Sequence, residues 1–459
     1  MNDNKFLGTA PIGKLLFKLS LPAIAAQLIN MLYNLVDRIY IGHIPEIGTT
    51  ALTGVGVCMP VIMLISAIAA FVAMGAAPRA SIYMGRGDND TAEKILGNSA
   101  SLLVIFSAVI TAVILAFDRP LLMLFGASEN TIDYASKYMR IYGLGTVSVM
   151  FSLGLNAFIT AQGFAKTSML TVLIGAVSNI ILDPILIFGF KLGISGAAVA
   201  TIISQSISAV WVICFLNGKK TLLRLRKKNL VIDWKTLAPC LMLGLGPFIM
   251  QSTESILMVC FNISLLKYGG DIAVGAMTIL SSVMQFSMLP LMGLAQGAQP
   301  IASYNYGAGN ADRLKKTFKI LLISSFTYTM VLWLLVMSFP EMFVRIFNSS
   351  PELISYTAKV MRIYMLAQGL MGIQTACQMT FISIDNSIAS LTVALLRKIV
   401  LLIPLIYILP LFAKNKVFAV FTAEPVADFI SVTFTSILFF FQFRKALRSM
   451  KSGNKKNPA

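Results

Sequence analysis

Met139-Arg140-Ile141-Tyr142 returns as Met361-Arg362-Ile363-Tyr364, 222 positions on (361 less 139). The repeat widens when read outward. Phe125, Ser128, Tyr134 and Lys137 return as Phe347, Ser350, Tyr356 and Lys359. Upstream, Gly75, Pro78, Ala80, Ser81, Gly85, Gly87, Asp90 and Lys94 return as Gly297, Pro300, Ala302, Ser303, Gly307, Gly309, Asp312 and Lys316, with no gap. Each copy is mostly apolar and long enough for about six membrane-crossing helices at roughly 20 residues each. Duplication of a six-span unit is the sequence signature of a transporter, with the substrate path expected between the halves.

Hydrophobic residues make up 57% of the 459-residue chain and charged residues 12%, about half the charge of a soluble domain. The expected fold is therefore an all-α polytopic membrane protein. Its twelve spans run over 15–41, 51–78, 93–117, 132–159, 167–189 and 194–217, then 238–266, 272–300, 316–340, 353–381, 390–412 and 417–443. Six spans is an even number, so both halves enter the membrane in the same sense. The two lobes are then related by a pseudo-twofold axis along the membrane normal. The domains are an N-terminal six-helix lobe at 1–217, a basic cytoplasmic linker at 218–236, a C-terminal six-helix lobe at 237–443 and a basic cytoplasmic tail at 444–459.

The net charge of +18 does not point to nucleic acid, because the basic residues cluster beside the spans. Lys219, Lys220, Arg224, Arg226, Lys227 and Lys228 lie between the halves, and Arg444, Lys445, Arg448, Lys451, Lys455 and Lys456 follow the last span. Such bias marks the cytoplasmic side and puts both termini inside. The five cysteines (Cys58, Cys214, Cys240, Cys260, Cys377) fall in or beside apolar stretches and read as core residues, not as disulfides or metal ligands. His43 is the single histidine and sits in a loop. No metal site, no cofactor and no enzymatic motif is expected. The loops Gly85-Arg86-Gly87-Asp88-Asn89-Asp90 and Gly307-Ala308-Gly309-Asn310-Ala311-Asp312 lack the lysine of a phosphate loop and read as tight turns, with Asp90 and Asp312 as helix caps.

Ionisable groups within spans are costly and mark function. In span 1, Gln27, Asn30, Asn34 and Asp37 share one helix face, with Tyr33 one turn before Asp37. Span 5 carries Asn179 and Asp183 at i, i+4, followed by Pro184; Asn156 in span 4 and Thr201 in span 6 are candidates to join them. Two acids brought together there would titrate as a coupled pair. The second half has different acids: Glu254 in span 7, with Gln251 and Asn262 on its face, and Asp428 in span 12, one turn after Glu424. At the repeat offset Asp37 falls on Val259 and Asp183 on Leu405, so the carboxylates were not duplicated with the scaffold. Arg397 and Lys398 in span 11 are expected to snorkel to the inner surface.

Asn34-Leu35-Val36-Asp37-Arg38-Ile39-Tyr40-Ile41-Gly42, Asn179-Ile180-Ile181-Leu182-Asp183-Pro184 and Gly193-Ile194-Ser195-Gly196-Ala197-Ala198 resemble signature segments in the first, fifth and sixth helices of the multidrug and toxic-compound extrusion family. The branch looks like its bacterial DinF-like and MepA-like one. The resemblance implies a cation-coupled exporter in the bacterial inner membrane, working as a monomer on small-molecule drugs and organic cations. It also implies a coupling site of Tyr33, Asp37, Asn156, Asn179, Asp183 and Thr201, and a hinge at Pro22. Glu254 matches the acid that the NorM-like branch uses for sodium, which leaves H⁺ and Na⁺ both open as coupling ion. Glu254, Gln251, Asn34 and Asp428 are the candidate substrate-binding residues. A lipid-linked precursor flippase of the same superfold and a non-transporting membrane receptor or scaffold are the alternatives.

Overall fold

The computed structural model describes residues 5–347 and 350–453; Lys455 and Lys456 of the basic tail lie outside them. Every regular element among the described residues is helical. The spans are Ile12–Gly42, Gly48–Gly85, Asn89–Leu124, a broken fourth, Ala165–Pro184 continued to Gly189, and Ile194–Asn217. The fourth is Ile132–Leu144 followed by Thr146–Ala161 at 58°. Spans 7 and 8 form one helical run, Trp234–Gly307, of 74 residues. Such a run would be roughly 110 Å long if straight, several membrane thicknesses. It breaks at Gly270, where φ is 65°, a conformation that glycine adopts without steric penalty. Ala311–Ser338 is span 9, Pro351–Tyr364 with Met371–Ser383 span 10, Ser387–Phe412 span 11 and Lys416–Gly453 span 12.

The repeat is kept at the level of helix ends. Ile12, Asn89, Ala165 and Ile194 start helices in the first half; Trp234, Ala311, Ser387 and Lys416 start them 222 positions later. The turn motifs also correspond, but the caps are not Asp90 and Asp312. Asp88 accepts from the Thr91 N–H at 3.0 Å and Asn310 from the Arg313 N–H at 3.2 Å. Each helix begins one residue after its cap, so Asp90 and Asp312 fall in the first turn, where their charge still suits the helix dipole.

Two compact units result, and their limits differ from the sequence boundaries. The first holds residues up to Thr9 and Leu21–Gly244; the second holds Ala10–Ser20 and Leu245–Ala459. The starts of spans 1 and 7 are thus each packed into the other half's unit. A repeated glycine permits both packings. A Cβ on Gly75 would lie 1.9 Å from the Cys240 carbonyl oxygen, and one on Gly297 would lie 2.5 Å from Ser20 Cα. Ser20 Oγ also donates to the Leu294 carbonyl at 3.2 Å.

Segment 218–236 is held firmly to the first unit. Gln162 Oε1 accepts from Thr221 Oγ1 and from the Leu222 and Leu223 N–H groups at 2.8, 2.8 and 3.1 Å. Asn98 donates to the Asn229 and Val231 carbonyls at 3.0 and 3.1 Å and accepts from the Asp233 N–H. Arg226 pairs with buried Glu93 at 2.7 Å, and Lys94 with Asp233 at 2.6 Å. Gln162, in the turn after span 4, and Asn98, on span 3, thereby satisfy a backbone that has no ladder of its own.

Candidate functional site

In the first unit the span-1 stripe meets span 5. Asp37 and Asp183 are buried, with their carboxyl groups within hydrogen-bonding reach of each other. Asn179 Nδ2 donates to Asp183 Oδ1 at 3.2 Å. Pro184 cannot donate to the carbonyl four residues back, and the helix continues from Ile185 to Gly189 as a π turn. Asp183 thus stands where the regular ladder is interrupted, a frequent setting for functional groups.

Around this pair, Tyr33 is hydrogen-bonded to Gln205, and Ser152 Oγ donates to Gln205 Oε1 at 2.5 Å. Tyr138 is hydrogen-bonded to Thr201, whose Oγ1 also donates to the Ala197 carbonyl at 3.0 Å. Asn30, Tyr33, Ser152, Asn179, Thr201 and Gln205 line a cavity of about 40 Å³ shared by spans 1, 4, 5 and 6. That volume takes water molecules or a small ion; a drug-sized ligand needs several hundred Å³. Asn156 is turned to the Ser168 carbonyl at 3.3 Å and does not line the cavity. Asn34 donates to the Asn30 carbonyl at 2.6 Å.

Four buried oxygens here accept no hydrogen bond from the protein: Asp37 Oδ1, Asp183 Oδ2, Asn179 Oδ1 and Asn156 Oδ1. Unsatisfied buried acceptors are costly and call for a donor or a cation. Ser152, Gln205 and Tyr138 were not singled out from the sequence. Ser152 and Gln205 are polar residues within apolar spans, so a signal for them existed.

The second unit solves the same problem differently. Arg397 and Lys398 do not snorkel. Both are buried, at 4% and 2% exposure, in the π segment Leu396–Leu402. Arg397 Nε pairs with Asp428 Oδ1 at 2.6 Å and its Nη2 with Glu424 Oε1 at 3.2 Å. Lys398 Nζ pairs with Glu254 Oε1 at 2.7 Å. Snorkelling fails because three carboxylates inside the lobe offer closer partners than the membrane surface does. Asp428 is thereby committed to Arg397, whereas Gln251 is exposed. Among the described residues no cluster of metal-ligating side chains occurs.

A duplicated, twelve-span helical membrane protein with buried acids in its spans is a transporter by class, not an enzyme. The sequence profile of the MatE family matches residues 22–185 and 247–408, more than half of the chain and both repeats, and the chain belongs to that family. It is 26% identical over 362 residues to a protein of Staphylococcus haemolyticus named multidrug export protein MepA, covering 79% of each. It is 26% identical over 422 residues to a FAD transporter of Shewanella oneidensis, covering 88% of this chain and 90% of that one. A crystal structure described as MATE in the bent conformation superposes with a TM-score of 0.91 at 22% identity, over 98% of this chain and 99% of the other. An outward-facing MATE family transporter gives 0.87 at 23% identity, over 97% and 98%.

Proposed function

We propose that the protein is a cation-coupled exporter of amphiphilic cations in a bacterial cytoplasmic membrane, acting as a monomer with both termini inside. The observation that carries this reading is the buried carboxyl pair Asp37–Asp183, each with an oxygen that accepts no hydrogen bond, joined through Asn179 to a cavity of ionic size that Asn179 lines. A proton held between the carboxyls turns their contact into a hydrogen bond. A sodium ion would instead draw several oxygens to itself, and Asp37, Asn179, Asp183 and Thr201 are the available set. Cation and drug binding favour different conformations of the chain, and that difference in affinity is the coupling. Pro22, inside the span-1 helix and next to the unit limit at Leu21, is the hinge in this reading.

The flippase alternative is disfavoured. Its pyrophosphate headgroup needs several free basic residues at depth, and Arg397 is committed to two buried carboxylates, which leaves Lys398 alone. The relatives carry names as different as drug exporter and FAD transporter, so this chain's own residues must define its substrate.

Ethidium transport by purified protein in proteoliposomes, under separately imposed pH and sodium gradients, tests the reading. One gradient should drive ethidium and the other should not; movement driven by neither overturns it. Orientation is tested by labelling Lys227→Cys. The expected result is no reaction with an impermeant maleimide added outside intact cells, and labelling there contradicts cytoplasmic placement of the linker.

A further inference from the structure

The ion pairs of the second unit are unequal. The Arg397 guanidinium holds two carboxylates as deeply buried as itself, with side-chain exposures of 3–5% throughout. The Lys398 ammonium makes its ion-pair contact with Glu254, with Glu424 a more distant opposite charge. Its own side chain is 3% exposed, and that of Glu254 is 62% exposed. If the pair opens, the glutamate keeps its exposure, but the ammonium is left charged and buried. The unpaired state costs the lysine more than the glutamate, whose carboxylate reaches the surface of the unit. The replaceable member of the pair is therefore the carboxylate.

The repeat says where this ammonium stands. Lys398 corresponds to Ala176 and Gln374 to Ser152, and both first-unit residues line the cavity. Gln374 is 2% exposed, and its Nε2 and Oε1 are both without a hydrogen-bond partner. The second unit thus has a lysine whose contacting counter-ion is displaceable, together with an amide whose donor and acceptor are both unused. Each occupies a position that lines the cavity in the sister unit.

We propose that Lys398 is an anion-recognition residue. A carboxylate on the substrate takes the place of Glu254 on the Lys398 ammonium, and Glu254, once released, pairs with the substrate's cationic nitrogen. The ion pair is exchanged without leaving a buried charge uncompensated. The substrate class is then a zwitterionic amphiphile. This rests on the exporter reading and narrows it.

Rhodamine 110, a zwitterion with a free carboxylate, and rhodamine 123, its methyl ester and a cation, form a matched probe pair. Their binding to purified full-length protein is read by fluorescence polarisation. Wild type should bind both. Lys398→Gln should weaken rhodamine 110 by about tenfold or more, the scale of one charge-assisted hydrogen bond, and leave rhodamine 123 unchanged or tighter, because Glu254 is then free for its cation. Lys398→Arg should restore rhodamine 110. Glu254→Gln, which removes the competing carboxylate, should shift preference toward rhodamine 110 and provides a second reading if Lys398→Gln misfolds. Equal weakening of both dyes by Lys398→Gln, or no change in either, overturns the proposal. Wild-type binding of rhodamine 123 without rhodamine 110 overturns it while leaving the exporter reading intact. Binding of neither dye overturns both.

Discussion

The two units start from one scaffold and treat buried charge in opposite ways. In the first, Gly175 and Ala176 of span 5 line a cavity, and the acids Asp37 and Asp183 lie against each other, neither in an ion pair among the described residues. In the second, the corresponding positions are Arg397 and Lys398, and Asp428, Glu424 and Glu254 are all ion-paired. Small residues leave room for an exchangeable cation, whereas long basic residues occupy the site with permanent ones. A carboxylate open to a mobile ion suits coupling; one bound to arginine suits structure. The duplication supplied the helices, and in the proposed reading the side chains that differ between the copies divide the labour.

The comparison breaks first on stability. Arg397→Gln leaves Asp428 and Glu424 buried without their cation and should cost about 3–5 kcal/mol. Asp183→Asn removes an acid that has no basic partner and should leave stability unchanged or higher. Thermal unfolding in detergent measures both. Arg397→Gln melting with wild type would end the claim that the second unit's charges are structural.

Transport sharpens the other side. Asp37→Asn and Asp183→Asn should each remove most ion-driven ethidium efflux, and the double variant should be little worse than either single one, as for residues acting as a unit. Losses that add fully, or near-normal efflux in both single variants, would separate the two aspartates.

The smallest effect concerns the linker. Asp233 is held at a pKa of about 2, below the usual carboxylate value, by its bond to Lys94 and then by Thr236. A depressed folded pKa gives stabilisation that is complete above the ordinary value near 4 and lost as pH falls through about 2. Hydrogen exchange of amides 221–233, corrected for intrinsic rates, should stay constant from pH 7 to about 4 and rise only below that. Asp233→Asn should show the faster exchange already at pH 7. A rise in the wild type between pH 7 and 5 would assign the docking to some other group.

Most of the scaffold was legible because it is periodic. Four shared residues at 139 and 361 fixed an offset that also sets the helix starts at Ile12 and Trp234 and at Ile194 and Lys416. The span-1 stripe was legible because spacings of three and four put Asn30, Tyr33 and Asp37 within one helical face. What escaped was pairing between helices. Nothing local in Leu396-Arg397-Lys398 announces carboxylates in spans 7 and 12, and solvation near a span end was the default expectation for both basic residues. The caps escaped by two residues because Asp88 and Asp90, like Asn310 and Asp312, are both competent cap types. Backbone geometry, absent from composition, chooses between them. Linker docking escaped because Gln162 and Asn98 act on backbone groups, which every sequence has.

The central claim is that the coupling ion binds in the first unit and not among the paired charges of the second. Its most direct test is the ion-induced change in intrinsic fluorescence of purified Asp183→Asn and Glu254→Gln, titrated with acid and with sodium. The account predicts that Asp183→Asn loses the response and that Glu254→Gln keeps it while binding cationic dye more weakly. Loss of the response in Glu254→Gln with its retention in Asp183→Asn would contradict the account.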